Sequence, residues 1–260
     1  MTQTPTAAEE ALANATNDAS LARSIARSAE IEADIAVNPG RYRMFTGVRP
    51  TGNMHLGHYF GTMHSWKTIQ DAGVDTWILV ADYQVITDRD TTEHIQDNVY
   101  NMVADYVAAG IDPERTVIFT HSAVTALNQL LLPFLALVTD AELRRNPTVK
   151  DELAASNRPM SGLMLTFPVH QAADILFCKA NLVPVGKDQL PHIEQTRVIA
   201  RRFDERYGRV DPDRPVFPEP ESLLSRSGTI LGLDGNKMSK SRGNTIELGM
   251  TADETAKLLK

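Results

Sequence analysis

Residues 44–58 read MFTGVRPTGNMHLGH, and this stretch decides how the chain folds. Its first five residues predict a short apolar strand, which ends at a turn over 49–52 where proline and glycine break regular structure. A helix is expected from about Gly57 to Asp71. The stretch is therefore a strand–turn–helix unit that carries two histidines, His55 and His58, where the strand gives way to the helix.

The segments that follow repeat this alternation. Residues 76–81 are a continuous apolar run, which is typical of a strand covered on both faces. A helix is expected next, with Asp90 as its N-cap and Glu93 at the third helical position, and residues 116–120 predict a third strand. Strands that alternate with helices favour a parallel sheet built from right-handed crossovers. We predict an α/β fold with a Rossmann-like doubly wound parallel sheet, in which ligands bind beyond the carboxyl ends of the strands.

Composition divides the rest of the chain into regions. Residues 1–40 contain no aromatic side chain, and we expect a flexible or weakly docked N-terminal extension. Residues 41–250 are expected to form the catalytic domain. Within it we predict a helical insertion over about 123–180, a loop over 208–222 and a last strand at 229–231.

The overall charge limits the kinds of partner that the chain can bind. The 260 residues carry a formal net charge of −7, so contact with a nucleic acid requires a local basic patch. Two groups of cations are candidates, although a solvated helix face explains the first equally well. The groups are Arg197, Arg201, Arg202, Arg206, Arg209 and Arg214, and Lys237, Lys240 and Arg242.

Cysteine content and hydropathy exclude several protein classes. Cys178 is the only cysteine, which rules out an internal disulfide or a multi-cysteine zinc site and suits a reducing compartment. The apolar run at 130–138 is far shorter than the ~20 residues of a membrane-spanning helix, and we expect it in a core or a subunit interface. Residues 1–40 resemble neither a signal peptide nor a transit peptide. We expect a cytoplasmic protein without a membrane segment.

His55, Gly57 and His58 have the chemistry of a phosphate site. Glycine lets a backbone approach a nucleotide closely, and a helix N-terminus favours anions. The imidazoles can donate hydrogen bonds to phosphate oxygens as charge builds on them. The alternatives are a zinc site, which lacks further plausible ligands nearby, and plain surface histidines.

A second polar motif, KMSKS at residues 237–241, lies between Gly235 and Gly243. The ammonium groups of Lys237 and Lys240 can neutralise a leaving pyrophosphate, a reaction that needs positioning and charge stabilisation more than a strong base. A solvated polar turn is the alternative for this motif alone. The two motifs together, in this order and at this separation, favour a triphosphate site.

Further segments carry a resemblance to a known family. They are TGVRPTG at 46–52, AADIL at 172–176, VPVGKDQ at 183–189 and HIEQTR at 192–197. Together with the two motifs, they make residues 44–246 similar to the catalytic domain of class I aminoacyl-tRNA synthetases, and most similar to tryptophanyl-tRNA synthetases. The resemblance implies that tryptophan and ATP form tryptophanyl-adenylate with loss of pyrophosphate, and that the amino acid then passes to tRNA(Trp).

The resemblance also implies roles for particular residues. Asp174 is expected to accept the indole N–H, because a carboxylate only accepts and indole only donates; from the residues alone, an exposed helical aspartate is the alternative. The other residues implied for the tryptophan site are Gln84, Phe167, Gln171 and Gln189. Catalytic roles are implied for His55, His58, Lys237 and Lys240. Contacts with ATP, which brings Mg²⁺ while the protein itself holds no metal, are implied for Arg49, Pro50, Thr51, Gly57, His58, Gly186, Lys187, Asp188, Ile230, Lys237, Met238, Ser239, Lys240 and Ser241.

Several positions depart from the usual tryptophanyl pattern. His-Leu-Gly-His stands for Thr-Ile-Gly-Asn, Arg49 for Gln, Phe167 for Tyr, Gln171 for Met and Gln84 for His. These changes make the pocket more polar and keep a tyrosyl-tRNA synthetase as a second hypothesis.

The length of the chain raises a third hypothesis. Residues 251–260 are expected to begin a helical C-terminal domain that is otherwise absent, whereas family members usually continue into an anticodon-reading domain. An accessory protein that binds tryptophan or adenylate is therefore considered as well, with a protein partner docked on the N-terminal extension. The family resemblance also implies a homodimer.

Overall fold

The computed structural model describes residues 7–87, 92–156, 159–208, 214–225 and 230–259. Asp90, Arg209, Thr229 and the side chain of Ser241, on which some predictions rest, lie outside the described part. The strands are β1 (Arg43–Val48), β2 (Asp75–Val80), β3 (Thr116–Thr120), β4 (Leu182–Val185) and β5 (Glu221–Leu224). The helices are α1 (Ala7–Ile35), α2 (Leu56–His58), α3 (His64–Asp71), α4 (Ile95–Ala108), α5 (Leu131–Leu135), α6 (Asp140–Arg145), α7 (Pro147–Ser156), α8 (Gly162–Phe177), α9 (Leu190–Tyr207) and α10 (Ala252–Leu258), with a π-helical turn, Tyr59–Met63, between α2 and α3.

The strands form one parallel sheet in the order β3-β2-β1-β4-β5. From β1, the chain first extends the sheet on one side through β2 and β3, and then returns to build β4 and β5 on the other side. This doubly wound arrangement confirms the predicted fold class. The point where the strand order reverses lies between β1 and β4, and such points are where ligands bind in open α/β sheets.

The central strands are buried on both faces. Met44 of β1 packs in one core with Trp66 of α3 and Tyr106 of α4. Its neighbour Phe45 packs in the opposite core with Ile175 of α8. Because successive side chains of a strand point to opposite faces, a strand covered by helices on both sides requires an unbroken apolar run.

The segment between β3 and β4 is helical and has a core of its own, built around Leu127, Phe134 and Val169. The apolar run at 130–138 lies mostly in this core, with Phe134 fully buried. Leu132 and Ala136 are exposed, and Leu132 is the larger of the two, at 77%. Within the described ranges, no helix is long and apolar enough to cross a membrane.

The fifth strand lies partly where the sequence predicted a loop. We expected a loop over 208–222 and a strand at 229–231, but Glu221–Leu224 pairs with β4. Leu231 makes only an isolated bridge with Lys237. A strand of four residues beside a proline-rich segment has too little pattern to be recognised, and its partner strand is remote in sequence.

The N-terminal extension includes a helix that packs on the edge of the sheet. Ile31 and Ile35 of α1 are 1% and 6% exposed and belong to the core under β1. Ser28 Oγ accepts the N–H of Leu224 at 3.0 Å and so covers the free edge of β5. The composition of residues 1–40 predicted a flexible or weakly docked segment. The difference arises because a few side chains at helical spacing fasten this helix, and composition averages over them.

Ile31→Ala should lower the free energy of unfolding by about 2–5 kcal/mol, as expected for removing a large aliphatic side chain from a core. Ile25 lies on the same helix but is 56% exposed, so Ile25→Ala is the matched control and should cost less than about 1 kcal/mol. Urea unfolding measures both changes. Equal effects of the two substitutions would contradict the docking of α1.

Candidate active site

A cavity of about 330 Å³ opens at the carboxyl ends of β1 and β4. Its walls come from β1 and the turn that follows it, the π-helical turn, α8 and the residues just before α9. All five residues predicted for the tryptophan site line this cavity, together with two that were predicted for ATP. They are Gln84, Phe167, Gln171, Asp174 and Gln189, with Arg49 and Gly186.

Asp174 places a carboxylate in the wall of the cavity and is 2% exposed. Gln84 Nε2 donates to its Oδ2 at 2.8 Å, and His121 Nε2 lies 2.9 Å from its Oδ1. Burying a carboxylate is costly unless donors surround it, and these two donors come from the segments that follow β2 and β3. The alternative of an exposed helical aspartate is therefore wrong for Asp174.

His121 and Asp82 complete this arrangement, and the sequence analysis did not find them. His121 Nδ1 lies 3.5 Å from Asp82 Oδ1, and the same oxygen accepts the backbone N–H groups of Tyr83 and His121 at 3.0 Å each. Burial opposes protonation of His121, but its interactions with Asp174 and Asp82 outweigh burial and raise the pKa of His121 to about 9. Both residues stand just past the ends of β2 and β3, so the rule that ligands bind at carboxyl ends was the available signal.

Two aromatic rings stack on His121. Its ring stacks on His170 at a centroid separation of 4.6 Å and on Tyr83 at 5.6 Å. Burial lowers the pKa of His170, whose Nε2 donates to Asn128 Oδ1 at 2.8 Å. Ligand-type atoms of His121, His170 and Asp174 lie within 4.8 Å of one another. Since hydrogen bonds already engage all three groups, we interpret them as a hydrogen-bonded network and not as a metal centre.

Two glutamines extend the polar lining of the cavity toward Asp188. Gln171 Nε2 donates to Gln189 Oε1 at 3.4 Å, and Gln189 Nε2 donates to Asp188 Oδ2 at 2.8 Å. Gly186 lies beside them, and a Cβ at that position would be 2.7 Å from Asp188 Oδ1 and would displace that carboxylate. The polar lining thus runs from the buried carboxylate of Asp174 to the exposed residue Asp188.

The histidine motif caps its own short helix. His55 Nδ1 accepts the N–H of Gly57 at 3.1 Å, and His58 Nδ1 accepts the N–H of His55 at 3.2 Å. A nitrogen that accepts carries no proton, so each neutral ring has its proton on Nε2. Burial and the charge of Lys240 lower the pKa of His55, and burial, His55 and Lys240 lower that of His58 to about 3. Both rings are therefore neutral Nε2–H donors at physiological pH.

Gly57 brings the histidine motif into contact with the lysine motif. A Cβ at Gly57 would lie 2.9 Å from the His55 ring, so only glycine fits. Its N–H also lies 3.3 Å from the sulfur of Met238, which is 7% exposed. Because His55 already accepts this N–H, the imidazoles offer their Nε2–H groups in place of the bare helix N-terminus that the sequence suggested.

The lysine motif is fastened to the domain and is not a freely solvated turn. Asn244, 3% exposed, accepts the N–H of Ser239 at 2.8 Å and donates to the carbonyl of Lys237 at 3.2 Å. Lys240 lies over the turn that follows β1, since a Cβ at Gly52 would be 3.5 Å from its Nζ. The structure thus brings His55, Gly57, His58, Met238 and Lys240 together, as the two motifs predicted.

The remaining residues predicted for ATP surround this contact less closely. Pro50 is buried and Thr51 is half-buried in the turn after β1. The carbonyl of Ile230 accepts the N–H of Met238 at 2.9 Å, which ties residue 230 to the lysine motif. Lys187 is exposed at the start of the turn before α9.

Most of the arginines considered for a nucleic-acid patch are engaged within the protein. Arg197 pairs with Glu221, Arg201 with Glu219 and Arg202 with Glu142, and Arg206 donates to the carbonyl of Ala136. These contacts fasten α9 to β5 and to α6. The lysine motif is consequently the better candidate for phosphate contacts.

Comparisons with known proteins show the family to which the chain belongs. A family model described as tRNA synthetases class I (W and Y) matches residues 38–260. The tryptophan–tRNA ligase of Thermotoga maritima is 42% identical over 216 residues, which are 82% of this chain and 64% of that protein. The tryptophan–tRNA ligase of Streptococcus pyogenes serotype M1 is 43% identical over 222 residues, with the same two coverages. The chain therefore spans slightly less than two thirds of the length of these relatives.

Solved structures of tryptophanyl-tRNA and tyrosyl-tRNA synthetases are also similar to this chain. The tryptophanyl-tRNA synthetase of Campylobacter jejuni, complexed with ADP and tryptophan, has a TM-score of 0.74 and 30% identity over 83% of this chain and 66% of its own. The tyrosyl-tRNA synthetase of Archaeoglobus fulgidus, complexed with tyrosine, has a TM-score of 0.68 and 25% identity over 88% of this chain and 68% of its own. Because the family model covers 38–260, the chain belongs to the group of class I tRNA synthetases that comprises the tryptophanyl and tyrosyl enzymes.

Proposed function

We propose that this chain activates tryptophan with ATP, forming tryptophanyl-adenylate and pyrophosphate, as part of a tryptophan–tRNA ligase that transfers the amino acid to tRNA(Trp). The observation that carries the proposal is the buried carboxylate of Asp174 in the wall of the cavity. The names of the relatives, which are tryptophan–tRNA ligases, support it.

Recognition of the indole ring follows from the donors around Asp174. A carboxylate can accept about four hydrogen bonds, and Gln84 and His121 account for two of them. Indole has one N–H donor and no acceptor, so it matches the acceptor capacity that is left. Phe167, 8% exposed, supplies an apolar part of the same cavity, Gln171 supplies a polar group near the indole, and Gln189 supplies one for the amino end of the substrate.

The reaction needs charge stabilisation more than acid or base catalysis. The carboxylate of tryptophan attacks the α-phosphorus of ATP, and negative charge develops on the departing pyrophosphate. His55 and His58 offer neutral N–H donors, and Lys237 and Lys240 offer positive charge to that group. Mg²⁺ enters with ATP. The nucleotide is held by Arg49, Pro50, Thr51, Gly57, Gly186, Lys187, Asp188, Ile230, Met238, Ser239 and Ser241, with Asp188 on the ribose hydroxyls and the backbone of Ile230 on adenine.

A tyrosyl enzyme is the less favoured alternative. A phenol hydroxyl needs an acceptor and a donor, Asp174 already engages one of the two N–H groups of Gln84, and the curated relatives named above are tryptophan–tRNA ligases. An accessory role without catalysis is also disfavoured, because the histidine and lysine motifs are both present and in contact. ATP–pyrophosphate exchange with all twenty amino acids tests the proposal: exchange is expected with tryptophan, and exchange with tyrosine instead would establish the alternative.

Further partners are proposed on the same basis. A substrate tRNA implies a role in protein synthesis and hence a cytoplasmic location. A protein partner of the N-terminal extension would contact residues before Arg27, because the helix beyond that point already packs on β5 and the core. A homodimer formed through the helical insertion is proposed because Leu132 is 77% exposed within an apolar run that is otherwise mostly buried or half-buried.

Leu132→Asp should convert a dimer into monomers in sedimentation experiments at micromolar protein, because a charge at an apolar interface must be desolvated without a partner. Leu259 is 64% exposed on another part of the chain, and Leu259→Asp is the control that should leave the dimer intact. A wild type that sediments only as a monomer would remove this proposal.

Lys240→Ala should slow adenylate formation while leaving tryptophan affinity within about twofold. A preorganised charge on the pyrophosphate contributes roughly 2–4 kcal/mol to the transition state, or about thirtyfold to a thousandfold in rate. Pyrophosphate exchange measures the rate, and titration of tryptophan measures the affinity. Lys257→Ala removes an exposed lysine of α10 and should leave both unchanged. An unchanged rate for Lys240→Ala would contradict a role in chemistry.

Asp174→Ala should reduce kcat/KM for tryptophan by roughly tenfold to a hundredfold, while ATP binding changes little, because a hydrogen bond to a charged acceptor contributes about 1.5–3 kcal/mol. Asp174→Asn should fall between wild type and alanine, since its amide oxygen accepts without the charge. Asp97→Asn, at a side chain that is 81% exposed, is the control for the lost charge. A change below about twofold for Asp174→Ala would show that another group reads the indole, and Gln84 and Gln171 would be tested next.

A further inference from the structure

We propose that His121 is a positioning residue for indole recognition, which bridges Asp82 and Asp174 and fixes the orientation of the Asp174 carboxylate toward the cavity. The inference rests on the proposed function and deepens it. Nothing in the sequence motifs points to His121, which lies 53 positions from Asp174 along the chain.

The carboxylate of Asp174 has a fixed orientation. Asp174 lies on α8, and a carboxylate on a helix is free to rotate unless both of its oxygens are held. Gln84 binds one oxygen at 2.8 Å and His121 approaches the other to 2.9 Å. Because these donors lie on two different segments, the plane of the carboxylate is set by the sheet and not by α8 alone.

Asp82 is the anchor behind His121. Asp82 Oδ1 accepts the backbone N–H groups of Tyr83, His121 and Ser122 at 3.0, 3.0 and 3.4 Å. These hydrogen bonds tie together the segments that follow β2 and β3. His121 Nδ1 lies 3.5 Å from this anchored oxygen. The imidazole thus connects a rigid backbone site with the carboxylate in the cavity wall.

Rotation of the His121 imidazole ring is also restricted. His121 is fully buried, and Tyr83 and His170 both stack on its ring with interplanar angles of 22° and 26°. A buried ring with two stacked neighbours cannot turn without disturbing them. Its Nε2 consequently stays within hydrogen-bonding distance of Asp174, at 2.9 Å, whereas Nδ1 lies within ion-pairing distance of Asp82, at 3.5 Å, without the geometry of a hydrogen bond.

The charge of His121 is set by the groups around it. The titratable groups that face this cluster are the carboxylates of Asp82 and Asp174, the phenol of Tyr83, the imidazole of His170 and the thiol of Cys178. Burial lowers the pKa of His170 and raises that of Cys178 to about 12, so both are neutral near pH 7. Between two buried carboxylates, a protonated His121 is the compensating cation, consistent with its pKa of about 9. This charge is present below pH 9 and is lost as the pH rises through about 9.

The experiment compares two substrates that differ at one atom. Tryptophan and β-(3-benzothienyl)alanine have nearly the same shape, but sulfur replaces the indole N–H in the second. Exchange kinetics are measured with both substrates for wild type, His121→Gln and His121→Leu. Glutamine retains an N–H donor without charge, and leucine retains neither. His94→Gln, at a histidine whose side chain is 78% exposed, is the matched control.

His121→Leu should reduce the preference for tryptophan over the sulfur analogue by about tenfold, the size expected for weakening one charge-assisted hydrogen bond. The loss should lie in KM, with kcat within about twofold. His121→Gln should recover part of the preference, and His94→Gln should behave as wild type. In the wild type, the preference should fall as the pH rises through about 9, whereas it should be independent of pH in His121→Gln.

Equal losses for both substrates in His121→Leu and His121→Gln would show a merely structural role and overturn the inference, as would an unchanged preference in both variants. If His121→Leu does not fold, His121→Gln and the wild-type pH profile decide the question. A wild type that exchanges with no tryptophan rejects the proposed function and the inference with it. Tryptophan-dependent exchange with an unaltered preference in the variants rejects the inference alone.

Discussion

The site depends on how the parallel sheet opens between its two central strands. β1 stays paired with β2 along its whole length, from Arg43–Asp75 to Val48–Val80, but it pairs with β4 only at Met44–Leu182. The strands on the two sides of this gap therefore separate toward their carboxyl ends. The cavity occupies the space that they leave, and every segment that follows a strand on this side of the sheet can place a side chain in or near it.

The two ends of the site are built in different ways. At one end, Asp174, His121 and Asp82 are buried side chains held by the ends of β2 and β3 and by α8. At the other end, the histidine motif contacts the lysine motif through the Gly57 N–H and the sulfur of Met238, and the amide of Asn244 holds the lysine motif in place. Rigid, desolvated groups suit discrimination between ligands, whereas cations near the surface suit a polyphosphate that arrives with its own counter-ion.

Much of the fold could be predicted from the sequence, because β1 to β3 and their helices have strong local patterns. The five residues predicted for a tryptophan site were named through family resemblance and not through spacing, and all five line the cavity. β5 could not be predicted, since four residues carry little pattern and their pairing with β4 is a long-range contact. The docking of α1 was missed because two isoleucines and a serine at helical spacing disappear in the average composition of residues 1–40.

The network around His121 was missed for a different physical reason. A lone histidine and a lone aspartate after two strands have no motif, and only the sheet brings them within hydrogen-bonding distance of α8. Parallel strands whose carboxyl ends share one edge make such meetings predictable in principle. Among the strand ends, only the turn after β1 has a recognisable motif, whereas the ends of β2 and β3 carry single polar residues.

The number of hydrogen bonds that Asp174 makes bears on how strongly this site can discriminate. A site rejects a ligand that lacks a donor most severely when its own buried group is then left without a partner. Gln84 and His121 already satisfy Asp174 from within the protein, so a ligand without the indole N–H leaves the carboxylate partly paired. The penalty is then the loss of one hydrogen bond and not the exposure of a bare buried charge, which would cost far more. Under the proposed function, selection of tryptophan over smaller or more polar amino acids must therefore also come from the shape of the cavity. That shape is set by Phe167, the β1–β4 gap and the π-helical turn, which lie around the carboxylate and not on it.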